Sequence, residues 1–564
     1  MRYNFKNFIF SLSLILLGSS VYASQDSPIK PWASDALKPL GSLAIQDRGR
    51  VKPFEVFARE AVQYVTGRQF FQGWNPVELT LSWVVSPEVW RDAEIIEIRH
   101  QETKKILGLD PQKQYFTVNS LVDNKIFLDR LENNFRKRQR SQDLSSLEKN
   151  FGQIEGQLSV FHGLATGSWL VIPHPSDPKG AWLSITDLGG VEKPVPADLS
   201  SKEIDPVVSA FRDLMSSYRA QNKSAVIESA TLLSAEIRKI PIHPGLYPSS
   251  GIINLELHYA HLHPFRLAWV FYLIGFLSLL LSFGFRWKGL SLIGLIGTIA
   301  GFCFQGYGFI LRSIIAGRPP VTNMYETVIW VTWGAVLFSL ILYFVYKKRI
   351  LLTASAAVAI IGLILADNLP SVLDPSINTL VPVLRSNFWL TIHVLTINLG
   401  YAGMALAAGL GNIVIGRILF GSPKDSLIKE QSKLIYRAMQ IGLILLTAGT
   451  ILGGVWADQS WGRFWGWDPK EVWALIAILT YLSVLHGRMV GWIKDFGTAA
   501  GAAICFLTIV MAWYGVNYVL GVGLHSYGFG TGGVQYVIMY AVAQIAFVVA
   551  AYLKSKSRLR KASA

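Results

Sequence analysis

Four tryptophans fall within twelve residues in Trp456-Ala-Asp-Gln-Ser-Trp461-Gly-Arg-Phe-Trp465-Gly-Trp467-Asp-Pro-Lys-Glu471, with charged side chains between them. Indole rings offer wide, rigid apolar faces and one N–H donor at the edge. Arg463 and Lys470 can meet acidic groups, and Asp468 can orient a donor. A flat ligand bearing carboxylates, such as haem, matches this mixture. The plainer alternative is an aromatic belt at a membrane interface. A second kind of chemistry comes from His393, His486 and His525, which lie in or beside apolar runs. Ionisable residues there are costly and mark function. Two neutral imidazoles on opposite faces of a porphyrin would give six-coordinate iron and limit its reaction with oxygen. Arg312, Arg318, Arg463 and Lys470 are the candidate partners for its carboxylates. Taken singly, each histidine could equally serve as a hydrogen-bonding residue between helices.

The elements that must hold these residues follow from composition. With 51% hydrophobic and 16% charged residues over 564 positions, the chain is too apolar for a soluble protein. It reads as an all-α polytopic membrane protein with an exported, helix-rich mixed α/β N-terminal domain. A formal charge of +15 raises nucleic acid or anionic lipid as partners, so the distribution of Lys and Arg decides. Only Cys303 and Cys505 are present, both in apolar runs, which argues against a disulfide, a zinc knuckle or a CxxC pair. Any reacting thiols must come from another molecule.

Residues 1–23 read as a signal sequence or N-terminal anchor: Arg2 and Lys6 precede an apolar core, and Val21-Tyr-Ala23 resembles a cleavage pattern. Residues 24–264 have the composition of a soluble domain. There, 56–62 and the heavily charged 125–152 read as helices, and 168–172 and 181–185 as strands. Its histidines (His100, His162, His174 and His243) are scattered singly, and Arg136 to Arg140 reads as a solvated helix face. His258 and His261, one helical turn apart, are within reach of a common metal or of an interface.

In residues 265–564, nine apolar segments are each near the length a bilayer requires: 267–285, 289–310, 326–346, 350–368, 388–412, 438–457, 471–489, 496–520 and 533–553. Seventeen Lys and Arg fall in one set of connections and the C-terminal tail, against five in the alternate set plus Arg266. The richer side is expected to be cytoplasmic. That places the N-terminal domain, the 456–471 stretch, His393 and His525 on the outer side of the inner membrane, and His486 and the C-terminus on the cytoplasmic side. The basic excess thus belongs to membrane orientation, and no nucleic-acid partner is expected.

The residues Trp461-Gly-Arg-Phe-Trp-Gly-Trp-Asp-Pro-Lys-Glu471 resemble the WWD signature of haem-handling proteins of cytochrome c assembly. Their surroundings resemble its CcsA branch, System II, at Pro320-Val-Thr-Asn-Met-Tyr-Glu326, Asn387-Phe-Trp-Leu-Thr-Ile-His393, Tyr481-Leu-Ser-Val-Leu-His486 and 515–528. The resemblance implies that His393 and His525 ligate haem b beneath the WWD loop, with Trp456, Trp461, Arg463, Trp465, Trp467 and Asp468 around it. It implies that His486 belongs to an inner site through which haem arrives from the cytoplasm. The implied reaction joins haem to the CxxCH segment of apocytochrome c, a cytochrome c synthase (haem lyase) activity exercised in complex with a ResB/CcsB-like membrane subunit. Thiol-reducing proteins would be indirect partners. No side-chain acid or base stands out for the addition. The N-terminal domain, through Gly49-Arg-Val-Lys-Pro-Phe54, resembles the end of such a partner joined on. A haem exporter without synthase activity and a bis-histidine redox cytochrome are the competing functions.

Overall fold

A computed structural model describes residues 29–563, except 141, 143, 175–176, 178–179, 189–198, 200, 241–246, 286, 371, 381–385, 422–424 and 521–532, with backbone only at 146, 201, 425 and 558–563. The expected signal sequence, His243, Arg385 and His525 lie outside the described residues. The chain forms two compact units, Met1–Asp47 with Val51–Pro248, and Arg48–Arg50 with Ser249–Ala564.

The first unit is helix-rich with three two-stranded sheets: β1 (Ala44–Asp47) with β2 (Arg50–Pro53), β3 (Glu94–Glu97) with β4 (Tyr115–Thr117), and β5 (Leu170–Ile172) with β6 (Leu183–Ser184). The last pair is antiparallel and falls on the two expected strands. Helix α1 (Phe54–Thr66) covers the expected helix and stops at Gly67, whose φ of 73° suits a residue without Cβ. Asn75 starts α2 (Pro76–Val85) by accepting the Val77 N–H at 2.9 Å. α2 carries the fully buried Glu78, whose carboxylate accepts from the N–H groups of Trp32 and Ala33 at 2.7 Å each and from Ser34 Oγ at 2.5 Å. Those donors offset the desolvation of the charge.

The single helix expected over 125–152 is two, α3 (Lys125–Gln139) and α4 (Ser146–Ala165). Ser145 and Glu148 form a reciprocal capping box that starts a new helix. α4 then packs back on α3 through Phe151 and Phe127, ring centroids 6.3 Å apart. Arg136, Lys137 and Arg138 pair with Glu132, Glu148 and Glu155. Helices α5 (Ser201–Arg219) and α6 (Lys223–Lys239) complete the unit beside a core that includes Trp74, Trp83, Trp90 and Trp169.

The second unit begins with α7 (Ser250–Leu262), which turns through the left-handed residue His263 into α8 (Pro264–Gly284). There follow α9 (Lys288–Ala316), α10 (Met324–Tyr346), α11 (Arg349–Asn368), α12 (Leu395–Phe420), α13 (Asp425–Trp461), α14 (Pro469–Met489), α15 (Asp495–Val510) and α16 (Val534–Ser563). Among the described residues nine helical segments are long and apolar enough to cross a membrane, one over each expected segment. The protein is therefore a multi-pass membrane protein.

α12 and α13 meet in a close seam. A Cβ on Gly400 would stand 2.6 Å from the Leu446 backbone, one on Gly403 2.6 Å from Gly442, and one on Gly449 2.7 Å from Ile397. Small residues let two backbones approach where lipid provides no hydrophobic drive for association. Polar groups reinforce the bundle elsewhere: Arg266 makes a two-pronged pair with Asp367 at 2.9 Å, and Asn412 and Gln544 exchange amide hydrogen bonds at 3.1 and 2.8 Å.

Candidate functional site

The tryptophan-rich stretch divides into three parts. α13 continues to Trp461, four residues beyond the expected end, so Trp456 and Trp461 are helical. A short connection follows, and α14 starts at Pro469. Asp468 sets that start by accepting the Lys470 N–H at 3.0 Å, while Glu471 accepts those of Gly466 at 2.8 Å and Asp468 at 3.2 Å. The buried Asp468 carboxylate thus serves the helix end. Arg463 lies 3.7 Å from Glu471 and places its guanidinium over the Trp461 ring, 5.7 Å from the centroid. Trp465 and Trp467 meet edge to face at 6.0 Å. Trp467 adopts a left-handed φ of 56° and is 71% exposed. A bulky residue there stores strain, a feature that concentrates at functional sites.

His393 stands in a five-residue π-helical turn, Leu390–Val394, that leads into α12. Such turns re-aim side chains and recur at functional positions. Its Nδ1 lies 2.8 Å from the carbonyl oxygen of Gly449 on α13. A carbonyl only accepts, so Nδ1 carries the proton, and in the neutral form of such a ring Nε2 is the nitrogen that can bind a metal. The imidazole meets the Trp456 ring at 5.7 Å and 61°. Trp389, one turn earlier, donates its Nε1–H to Gln459 Oε1 at 3.1 Å. The structure therefore brings His393 together with Trp456, at the end of the bundle that carries the tryptophan-rich connection.

Two cations proposed from sequence occupy different settings. Arg312 is fully buried, donating to Glu326 at 2.7 Å, the Tyr259 hydroxyl at 3.1 Å, and the carbonyls of Pro375 and Ser376 at 2.8 and 3.3 Å. Glu326 in turn accepts the N–H and hydroxyl of Thr322 at 2.6 and 2.7 Å. Arg318, partly buried, donates to the Asn378 carbonyl at 2.6 Å, and burial pulls its guanidinium below the ordinary arginine value. The Glu326 carboxylate offsets part of that penalty. Arg312 thus organises the 374–378 connection, whereas Lys470 follows Asp468 at the start of α14.

The chain approaching His525 is a second π-helical segment, Met511–Leu520. Its Tyr518 hydroxyl donates to the Val372 carbonyl at 2.9 Å, and its Asn517 amide reaches Met324 Sδ at 3.4 Å. His486 occupies the other end of α14, about 25 Å along the helix from Pro469 at 1.5 Å per residue. Its Nδ1 bonds the Leu482 carbonyl of its own helix at 2.9 Å, and the ring is exposed. His258 Nε2 bonds the Tyr307 hydroxyl at 3.0 Å.

Sequence reasoning missed Gly449, Gly453 and Gly454, which seat His393 and Phe464, as well as the Trp389–Gln459 link. The four-residue spacing of Gly449 and Gly453 is the signal that could have found them, because it sets both on one helix face.

The sequence model of a family described as "Cytochrome C assembly protein" matches residues 321–525. "Protein NrfI" of Wolinella succinogenes is 28% identical over 92% of the chain, and the chain spans only 59% of that relative's length. "Cytochrome c biogenesis protein CcsA" of Prochlorococcus marinus is 34% identical over 46% of the chain and 92% of the relative, and that of Chlorella vulgaris 32% over 44% and 90%. The matched region holds both π-helical segments and the tryptophan-rich connection, and the chain belongs to the CcsA family of cytochrome c assembly proteins.

Proposed function

We propose that this protein takes haem b from the cytoplasmic side, holds it between His393 and His525 beside the WWD connection, and presents it to the CxxCH segment of apocytochrome c. The observation that carries this reading is the His393 imidazole, held through Nδ1 by a carbonyl of a second helix and set against Trp456. The donor set suits the ligand: an oriented imidazole, exposed Trp467, and for carboxylates Arg463 and Lys470 beside the tryptophan-rich connection and Arg318 in the connection before α10. Arg312, engaged by Glu326, Tyr259 and two carbonyls, holds the scaffold in this reading.

Haem supplies two vinyl groups. Each substrate thiol adds its sulfur to one vinyl carbon and a hydrogen to the other, forming a thioether without any oxidant. The chain's contribution is proximity and orientation, since both free cysteines lie in membrane helices. His486, exposed and bonded by Nδ1 to its own helix, suits an inner site completed by a ResB/CcsB-like subunit in the inner membrane. The basic-residue bias supports placing the His486 end on the cytoplasmic side.

The test is the full-length protein purified from cells carrying a CxxCH reporter. Haem absorbance lost in His393→Ala and His525→Ala, with loss of covalent haem in the reporter, is the expected result. Unchanged haem and reporter sink the reading. Retained haem dependence with normal attachment favours export alone, and haem reduced by quinol without any reporter defect favours a redox cytochrome.

A further inference from the structure

We propose that Gly453-Gly454 on α13 is a joint that sets the iron ligand and the WWD connection in one register, Gly453 seating the His393 ring and Gly454 seating Phe464; this rests on His393 being a haem ligand. A Cβ on Gly453 would stand 2.6 Å from His393 Cε1, 3.1 Å from Nδ1 and 3.3 Å from Nε2. The imidazole thus lies against bare backbone, with the edge between its two nitrogens facing the helix. Its Nδ1–H bond goes to Gly449, the residue whose carbonyl Gly453 also shares in the helical pattern. A Cβ on Gly454 would stand 2.6 Å from Phe464 Cζ and 2.8 Å from both neighbouring ring carbons.

Phe464 belongs to the connection that carries Trp465 and Trp467, and Arg463 beside it lies over Trp461. One helical position therefore sets the ligand, and the next sets the aromatic connection. Gly449 also lets the Ile397 backbone of α12 close on α13, which brings the His393 turn within reach of the seat. Gly453 and Gly454 are positioning residues: any side chain at the first displaces the imidazole from the carbonyl, and any at the second displaces Phe464.

The experiment uses full-length protein with its co-purified haem and the CxxCH reporter, with protein level and thermal unfolding as folding controls. Gly453→Ala is expected to lose the six-coordinate low-spin spectrum and about tenfold in haem retention, the usual range for losing an outer-shell partner, with added imidazole restoring the spectrum. Gly454→Ala is expected to keep that spectrum and lower covalent attachment. His393→Ala tests the underlying reading separately: an unaltered spectrum there removes the ligand assignment itself. If His393→Ala loses the spectrum while a folded Gly453→Ala keeps it, the joint alone is overturned. A Gly454→Ala spectrum altered with attachment intact overturns it as well. If Gly453→Ala does not accumulate, His393→Gly decides: imidazole, which can donate to the Gly449 carbonyl, should rescue roughly fivefold better than 1-methylimidazole, the worth of one hydrogen bond, and equal rescue overturns the seat.

Discussion

The two histidines at opposite ends of the bundle have opposite surroundings. His393 sits in a π-helical turn, bonds a carbonyl of a neighbouring helix and lies on glycine backbone beside Trp456. Among the described residues, His486 bonds the preceding turn of its own helix through Nδ1 and exposes its ring. An imidazole fixed from a second helix cannot swing without breaking the seam, whereas one fixed within its own helix keeps its outward face exposed.

The largest effect on this contrast should come from the scaffold under the first end. Glu326→Gln leaves Arg312 buried without its counter-charge, and breaking such a pair costs roughly 3–5 kcal/mol. Protein level in membranes and detergent unfolding should both fall, and replacing both residues by apolar ones of similar volume should recover part of the loss; normal stability of the single variant refutes the role of the pair. Next in size, His393→Ala should lower bound haem about tenfold or more at normal protein level. His486→Ala should leave stability within about 0.5 kcal/mol, as for other exposed sites, and lower co-purified haem only by slowing its arrival. Equal spectral changes in both histidine variants would erase the distinction between the ends. Trp467→Ala should be similarly mild in stability while reducing covalent attachment; an unaffected reporter would remove Trp467 from haem presentation.

The smallest change is a control in the first unit. A hydrogen bond from Lys137, with further help from the Ser145 N–H, holds the Glu148 carboxyl down at about 2. A depressed carboxyl stabilises above its ordinary value, and that contribution is lost as pH falls from there through about 2. Glu148→Gln should therefore flatten acid sensitivity of the first unit in that window by tryptophan fluorescence, and leave both haem signals alone. An unchanged acid profile would mean that the Lys137 pair contributes nothing in solution.

Much of this was legible because lipid imposes simple rules. Runs of about twenty apolar residues must be helices, since no water satisfies their backbone groups, and all nine appeared where expected. Asp468-Pro-Lys-Glu471 was read for ligand chemistry, yet it also spells a capping box, and the helix end consumes Asp468 and Glu471. The charged run 125–152 looked like one helix because helical periodicity carries across a break, while the decisive Ser145–Glu148 cap is a local signal that was overlooked. Arg312 looked like a free cation because its partners lie 14, 53 and 63 residues away in the chain.

By itself the sequence determined the number of spans, the family, and which residue types gather near the tryptophans, because apolar length and short motifs are local properties. Only the tertiary structure decided which nitrogen of His393 meets the Gly449 carbonyl, that Arg312 is spent on Glu326, and that neighbouring glycines seat His393 and Phe464. Those outcomes depend on distances of a few tenths of an ångström between helices far apart in the chain, and no spacing within a single segment encodes them.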